Sequence, residues 1–121
     1  MSRASAHGVT ALATSQKQQD QLDTHIAWKS HMREPEAELL LEDRAPFSYV
    51  LRRGEQQHAY FITFMTRDGT IKHRRFVLDL ERKKWCYCNK EVAGSKEIFS
   101  TSLDKLIPLM MECKPQNCIP H

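Results

Sequence analysis

Residues 59–65, Ala-Tyr-Phe-Ile-Thr-Phe-Met, are apolar on both of their alternating faces. A strand of that kind has no face to offer water, so it belongs in the middle of a sheet covered on both sides. Its neighbours are specified locally. Residues 47–52, Phe-Ser-Tyr-Val-Leu-Arg, are rich in aromatic and β-branched side chains and lie between Pro46 and Gly54, the pattern of a strand with a turn at each end. Asp68-Gly69 is a hairpin signal leading into a third, longer strand from Ile71 to about Leu80. Residues 81–84 form a polar turn, Trp85–Cys88 a short further strand, and residues 89–98 a loop.

The covers are two helices. Arg33–Leu41 carries Pro35 and three glutamates ahead of consecutive leucines, which predicts a short helix running to about Asp43. Thr101 or Ser102 can cap a second, whose apolar face is Leu103, Leu106, Ile107, Leu109 and Met110 and which Pro108 is expected to kink. The order helix, antiparallel sheet, helix predicts an α+β fold, a central antiparallel β-sheet flanked by two α-helices. With 121 residues there is material for one small domain, assigned to residues 25–121. Residues 1–24 contain no aromatic side chain and are expected to form a flexible tail.

Several functions are excluded by composition and spacing. No apolar run approaches the roughly 20 residues that span a bilayer, and the N-terminus lacks the apolar core of a secretory signal. The four cysteines, Cys86, Cys88, Cys113 and Cys118, have gaps of one and four where zinc sites favour gaps of two, so reduced thiols and no metal or other cofactor are expected. A cysteine phosphatase needs Arg six positions after its Cys, where this chain has Val92, Gly94 and Ile119. With no P-loop and no nucleophile–base set, an enzyme is not expected. The net charge of +3 is too mild to indicate nucleic acid by itself. The basic run through Lys72, Arg74, Arg75, Arg82, Lys83 and Lys84, followed by Trp85 and Tyr87, is the feature that could track a phosphate backbone and stack bases. A solvated sheet edge bearing lysines against aggregation is the commoner source of such a run, so nucleic acid is not expected as a partner.

Arg52 carries the sharper signal. It ends an apolar strand on the face of Ser48 and Val50, so its guanidinium enters the protein and needs an anion, either an internal carboxylate or an external group such as phosphate. His73 and Arg75, two residues apart, share one face of the third strand, with Lys72 and Arg74 on the other. Strands paired in sequence order can therefore bring Arg52, His73 and Arg75 together, with Arg33 nearby, in a cluster suited to a phosphate dianion.

In their order and spacing these elements resemble the Src-homology-2 family, across roughly residues 26–121. The resemblance rests on Arg33 to Leu41 with its Glu-Ala-Glu-Leu, Tyr49-Val50-Leu51-Arg52, Tyr60-Phe61-Ile62-Thr63, Ile71-Lys72-His73 with Arg75 following, and Ser102-Leu103-Asp104-Lys105-Leu106-Ile107. It implies a non-catalytic module that binds tyrosine-phosphorylated proteins or peptides, as adaptor or competitor, in the cytosol, including a host cytosol if a bacterium delivers it. It further implies that Arg52 is the bidentate phosphate ligand at the pocket floor, Arg33 a second ligand, and Arg75 and His73 the wall. The family's loop hydroxyls have no counterpart in residues 53–57, so Gly54, Gln56 and Gln57 stand in for them. Arg74 is expected on the groove for the rest of the peptide. The alternative within the same fold is a degenerate domain that docks on an unphosphorylated protein.

Overall fold

The computed structural model describes residues 16–89 and 96–121. Its centre is one sheet whose strands run β1 (Trp28–Lys29), β2 (Ser48–Arg53), β3 (Ala59–Met65), β4 (Ile71–Asp79), β5 (Lys84–Asn89) and β6 (Lys96–Ser100) in spatial order. β2 through β6 pair antiparallel. β1 and the short β7 (Ile119–Pro120) pair parallel with β2. β3 occupies the interior position that its two apolar faces demand. The β3–β4 hairpin turns at Gly69, whose φ of 86° is in the left-handed region open to glycine.

Helices cover the two faces unequally. On one face, α3 (Leu103–Met111), capped by Ser102 Oγ accepting from Lys105 N, sets Leu103, Leu106, Ile107, Met110 and Met111 against a core that includes Leu51, Ile62, Phe64, Phe76 and Trp85. On the other, α2 (Glu34–Leu41) buries only Ala37 and Leu41 against Val50. The eight residues of α2 leave part of their face of β2, β3 and β4 without apolar cover, and polar side chains occupy it. Both the α+β class and the helix-flanked sheet expected from the sequence are present.

Two boundaries differ from the sequence reading. Residues 16–23, placed there in a flexible tail, are helical (α1), and Leu22 is 0% exposed within the main core. The attachment is polar as well as apolar: Gln21 Oε1 accepts from Trp85 Nε1 at 3.2 Å and from Leu103 N at 2.9 Å, and Gln19 Oε1 accepts from Tyr60 Oη at 3.1 Å. Buried donors on Trp and on the first turn of a helix need such partners, which is why a glutamine-rich segment orders here. The rest of the expected tail, residues 1–15, lies outside the described residues. Residues 89–98, read as a loop, contribute Asn89 to β5 and residues 96–98 to β6, because the Cys88↔Glu97 and Tyr87↔Ile98 pairings continue the antiparallel ladder.

Candidate functional site

The register across β2, β3 and β4 builds the site on the thinly covered α2 face. Two cross-strand rows lie side by side there, Val50–Thr63–His73 and Arg52–Phe61–Arg75. Arg52 is 6% exposed, with its guanidinium carbon 5.3 Å from the Phe61 ring centroid. Its Nε donates to Thr63 Oγ1 at 2.8 Å and its Nη2 to His73 Nδ1 at 3.2 Å. A guanidinium has donors and no acceptor, so Nδ1 is the accepting nitrogen and the ring carries its proton at Nε2. That proton faces Glu38 Oε1 at 2.8 Å and Glu34 Oε1 at 3.1 Å, both from α2.

Arg52 thus contacts a hydroxyl and an imidazole nitrogen, and among the described residues it forms no ion pair with a carboxylate. Burial pulls its guanidinium below the usual range, and the fields of Glu34 and Glu38, transmitted across His73, oppose that pull. A buried cation compensated only at second hand is the electrostatic opening for an anion. Glu34, Glu38 and His73 Nε2 also lie close enough together to be considered as metal ligands. The hydrogen bond from Arg52 argues against that use, since it keeps the proton on the nitrogen a metal would need.

The remaining sequence candidates fall on either side of this core. Arg75 is exposed in the same row as Arg52, and its Nη2 donates to Gln56 Oε1 at 3.1 Å, which joins the β2–β3 loop to the basic cluster. Gly54 permits that loop to close: its N–H donates to Ala59 O at 2.8 Å, and a Cβ there would stand 2.7 Å from the same oxygen. Gln57 is exposed and lines a hollow with Gln16, Asp23 and Arg53, toward α1.

Arg33 is not brought to Arg52. Its side chain is 85% exposed and turned along its own helix, where the Glu36 carboxylate accepts from both its Nε and its backbone N at 3.3 Å. Ala37 is the packing position of α2, and on a helix the residues three before and one after it share a flank, so Glu34 and Glu38 reach His73 instead. The expected second cation is replaced by two carboxylates. The spacing from Ala37, counted in helical turns, is the sequence signal that identifies them. Thr63 was also missed, although it is the one hydroxyl on the α2-facing row of the central strand.

Arg74 is 7% exposed on the opposite face, its Nη1 donating to Met110 O at 2.5 Å and its guanidinium carbon 5.4 Å from the Phe64 ring centroid. It holds the end of α3 to the sheet. It also borders a hollow of about 390 Å³ with Arg75, Val77, Cys86, Tyr87 and Cys88, directly beyond the Arg52 row. Trp85 and Tyr87, the aromatics that a base-stacking surface would need, are 0% and 4% exposed and serve the core. No helix among the described residues is long and apolar enough to cross a membrane.

The sequence matches no family model and no curated protein. The fold does match solved structures. The SH2 domain of RavO from Legionella pneumophila, solved as the apoprotein, has a TM-score of 0.58 and 14% identity, over 82% of this chain and 94% of that one. The VAV1 SH2 domain, solved in complex with a tyrosine-phosphorylated peptide from SLP76, has a TM-score of 0.56 and 13% identity, over 83% and 74%. In fold, the chain is an Src-homology-2-like domain.

Proposed function

We propose that the domain binds phosphotyrosine peptides without catalysis, as an adaptor or competitor in the cytosol, with Arg52 as the phosphate ligand. The observation that carries this reading is the buried guanidinium of Arg52, which has no direct anionic partner among the described residues. A phosphate that reached it would meet a charge already oriented by Thr63 and His73, so little ordering cost remains. Phe61 and Arg75 flank the row in which a tyrosine ring would lie, and Arg75 supplies the second cation in place of Arg33. Ser and Thr phosphates, on shorter stems, would stop above the floor. Residues following the phosphotyrosine would then pass over the hollow lined by Val77, Cys86 and Cys88.

The test is titration of the full chain with a mixed phosphotyrosine peptide library and with the same library dephosphorylated, phenyl phosphate serving as competitor. Binding that requires phosphate and is displaced by phenyl phosphate supports the reading. The two carboxylates favour a second one, docking on an unphosphorylated segment, and equal binding of both libraries would establish it.

Glu34 sets the strength of the phosphate site. Glu34→Gln removes one of two carboxylates that share a single imidazole N–H, and the other, Glu38, is the closer. A gain of about fivefold in phosphopeptide affinity is expected at low salt, corresponding to about 1 kcal/mol for a partly exposed charge. Repeating the titration at high ionic strength should shrink the gain. An unchanged affinity at low salt would place the phosphate outside the field of Glu34.

A further inference from the structure

The two thiols at the C-terminal end of the fold lie in contact. Cys113 follows the left-handed residue that ends α3, Glu112 with φ 56°, and Cys118 follows the 3₁₀ turn Pro115–Asn117 and leads into β7. Their sulfurs are 3.4 Å apart. The backbone fixes this approach from both sides, with Cys113 N donating to Pro108 O, Asn117 N to Lys114 O and Cys118 N to Pro115 O. Both side chains pack against the main core and both remain partly exposed, so a small reagent can reach them.

We propose that Cys113 and Cys118 form a redox site, a dithiol that a low-molecular-weight disulfide such as oxidised glutathione converts reversibly to an intramolecular disulfide. The sulfurs must close by about 1.4 Å to reach the S–S bond length of about 2.05 Å, a movement that χ rotations at two partly exposed side chains can supply. In the first step one protein thiolate attacks the reagent's S–S bond, forming a mixed disulfide and releasing one glutathione thiolate. In the second, the other protein sulfur, having lost its proton, attacks the mixed disulfide and expels the second glutathione. Two S–H bonds and one reagent S–S bond are lost, two glutathione thiols and one protein S–S bond are gained, and the two electrons pass to glutathione. Burial and the neighbouring sulfur push the Cys118 thiol up to about 12, which makes it a poor attacker of the free reagent in the first step.

The bond would join the end of α3 to the residue that enters β7. At present β7 is held to β2 by backbone bonds, Ile119 N to Phe47 O and His121 N to Tyr49 O, both 3.0 Å. Oxidation therefore adds a covalent staple to a two-residue strap whose own pairing is minimal, and reduction returns it to the backbone pairing seen with the free thiols.

The test is equilibration of the full chain with mixtures of reduced and oxidised glutathione, acid quench, alkylation, intact mass and peptide mapping. A Cys86→Ser/Cys88→Ser variant isolates the pair, and Cys113→Ser and Cys118→Ser each remove one member. The expected result is a product lighter by two hydrogens, cross-linked between 113 and 118, in the full chain and in the Cys86/Cys88 variant. Each single variant should instead take up one glutathione at the remaining thiol of the pair. Reversal by excess reduced glutathione is expected, as is slower amide exchange at Ile119 and His121 in the oxidised form. Alkylation of both thiols at every ratio, mixed glutathione disulfides alone, or cross-links shared with Cys86 and Cys88 would each overturn the proposal.

Discussion

Arg52→Ala is expected to weaken phosphopeptide binding by at least about 100-fold, a loss of about 3 kcal/mol, because it removes the cation that meets a desolvated dianion. The same change should leave the fold in place. Thr63 Oγ1 and His73 Nδ1 lie 2.8 Å apart and remain hydrogen-bonded to each other without the guanidinium, so neither becomes a buried orphan. The guanidinium itself contributes a desolvated charge with no ion pair, and its removal relieves that cost. Thermal unfolding within a few degrees of the parent chain, together with lost binding, is the expected pair of results. Arg33→Ala separates this site from a general effect of positive charge: its side chain is paired with Glu36 in solvent, and affinity should change by less than about twofold. If Arg33→Ala were as damaging as Arg52→Ala, binding would be governed by net charge and not by the pocket.

Leu22→Ala is expected to destabilise the domain by about 2–5 kcal/mol, the range for deleting a fully buried leucine. The residue lies in a stretch that composition marks as a tail, yet it is 0% exposed and shares the main core with Trp85, Leu103 and Leu106. Its loss opens a void at the junction of α1, the sheet and α3, and weakens the helix that carries Gln19 and Gln21. Those amides satisfy Tyr60 Oη, Trp85 Nε1 and Leu103 N, so the cost extends beyond the deleted methyls. Urea unfolding monitored by tryptophan fluorescence reads the change. A shift within about 0.5 kcal/mol, the usual value at a surface position, would mean that α1 does not bear on the core in solution.

What was legible in the chain followed the strength of local signals. β3 shows itself by being apolar on both faces, the β3–β4 hairpin by Asp68-Gly69, and α3 by Ser102 and an apolar stripe, and all of these elements are present, although Leu109, counted on that stripe, lies on the outer side of the helix and is exposed. α1 gave no such sign because its described part offers one leucine to the core and is otherwise tied down by glutamine side chains, a mode of attachment with no periodicity. β6 was obscured because Lys96 and Glu97 begin it, and charged residues at an edge read as loop. The site was legible to the extent that strand alternation governs it: Arg52, His73 and Arg75 follow from faces and order. The contribution of α2 depends instead on where the helix begins, and a shift of one residue exchanges Arg33 for Glu34, which reverses the sign of the charge delivered to the pocket.

The pairing of β1 and β7 with β2 bears on self-association. An uncovered outer strand is a template on which another chain can continue the sheet. Here the outward backbone of β2 is already spoken for, with Leu51 N donating to Ala27 O and the carbonyls of Phe47 and Tyr49 accepting from Ile119 N and His121 N. Two segments of two residues each are enough to close the edge nearest Arg52 to strand addition. Among the described residues the opposite edge is β6, where the exposed charges of Lys96 and Glu97 discourage a flat, unbroken seam between copies. The domain can therefore place the Arg52 cluster beside a sheet edge without offering the adjoining backbone as a nucleus for aggregation.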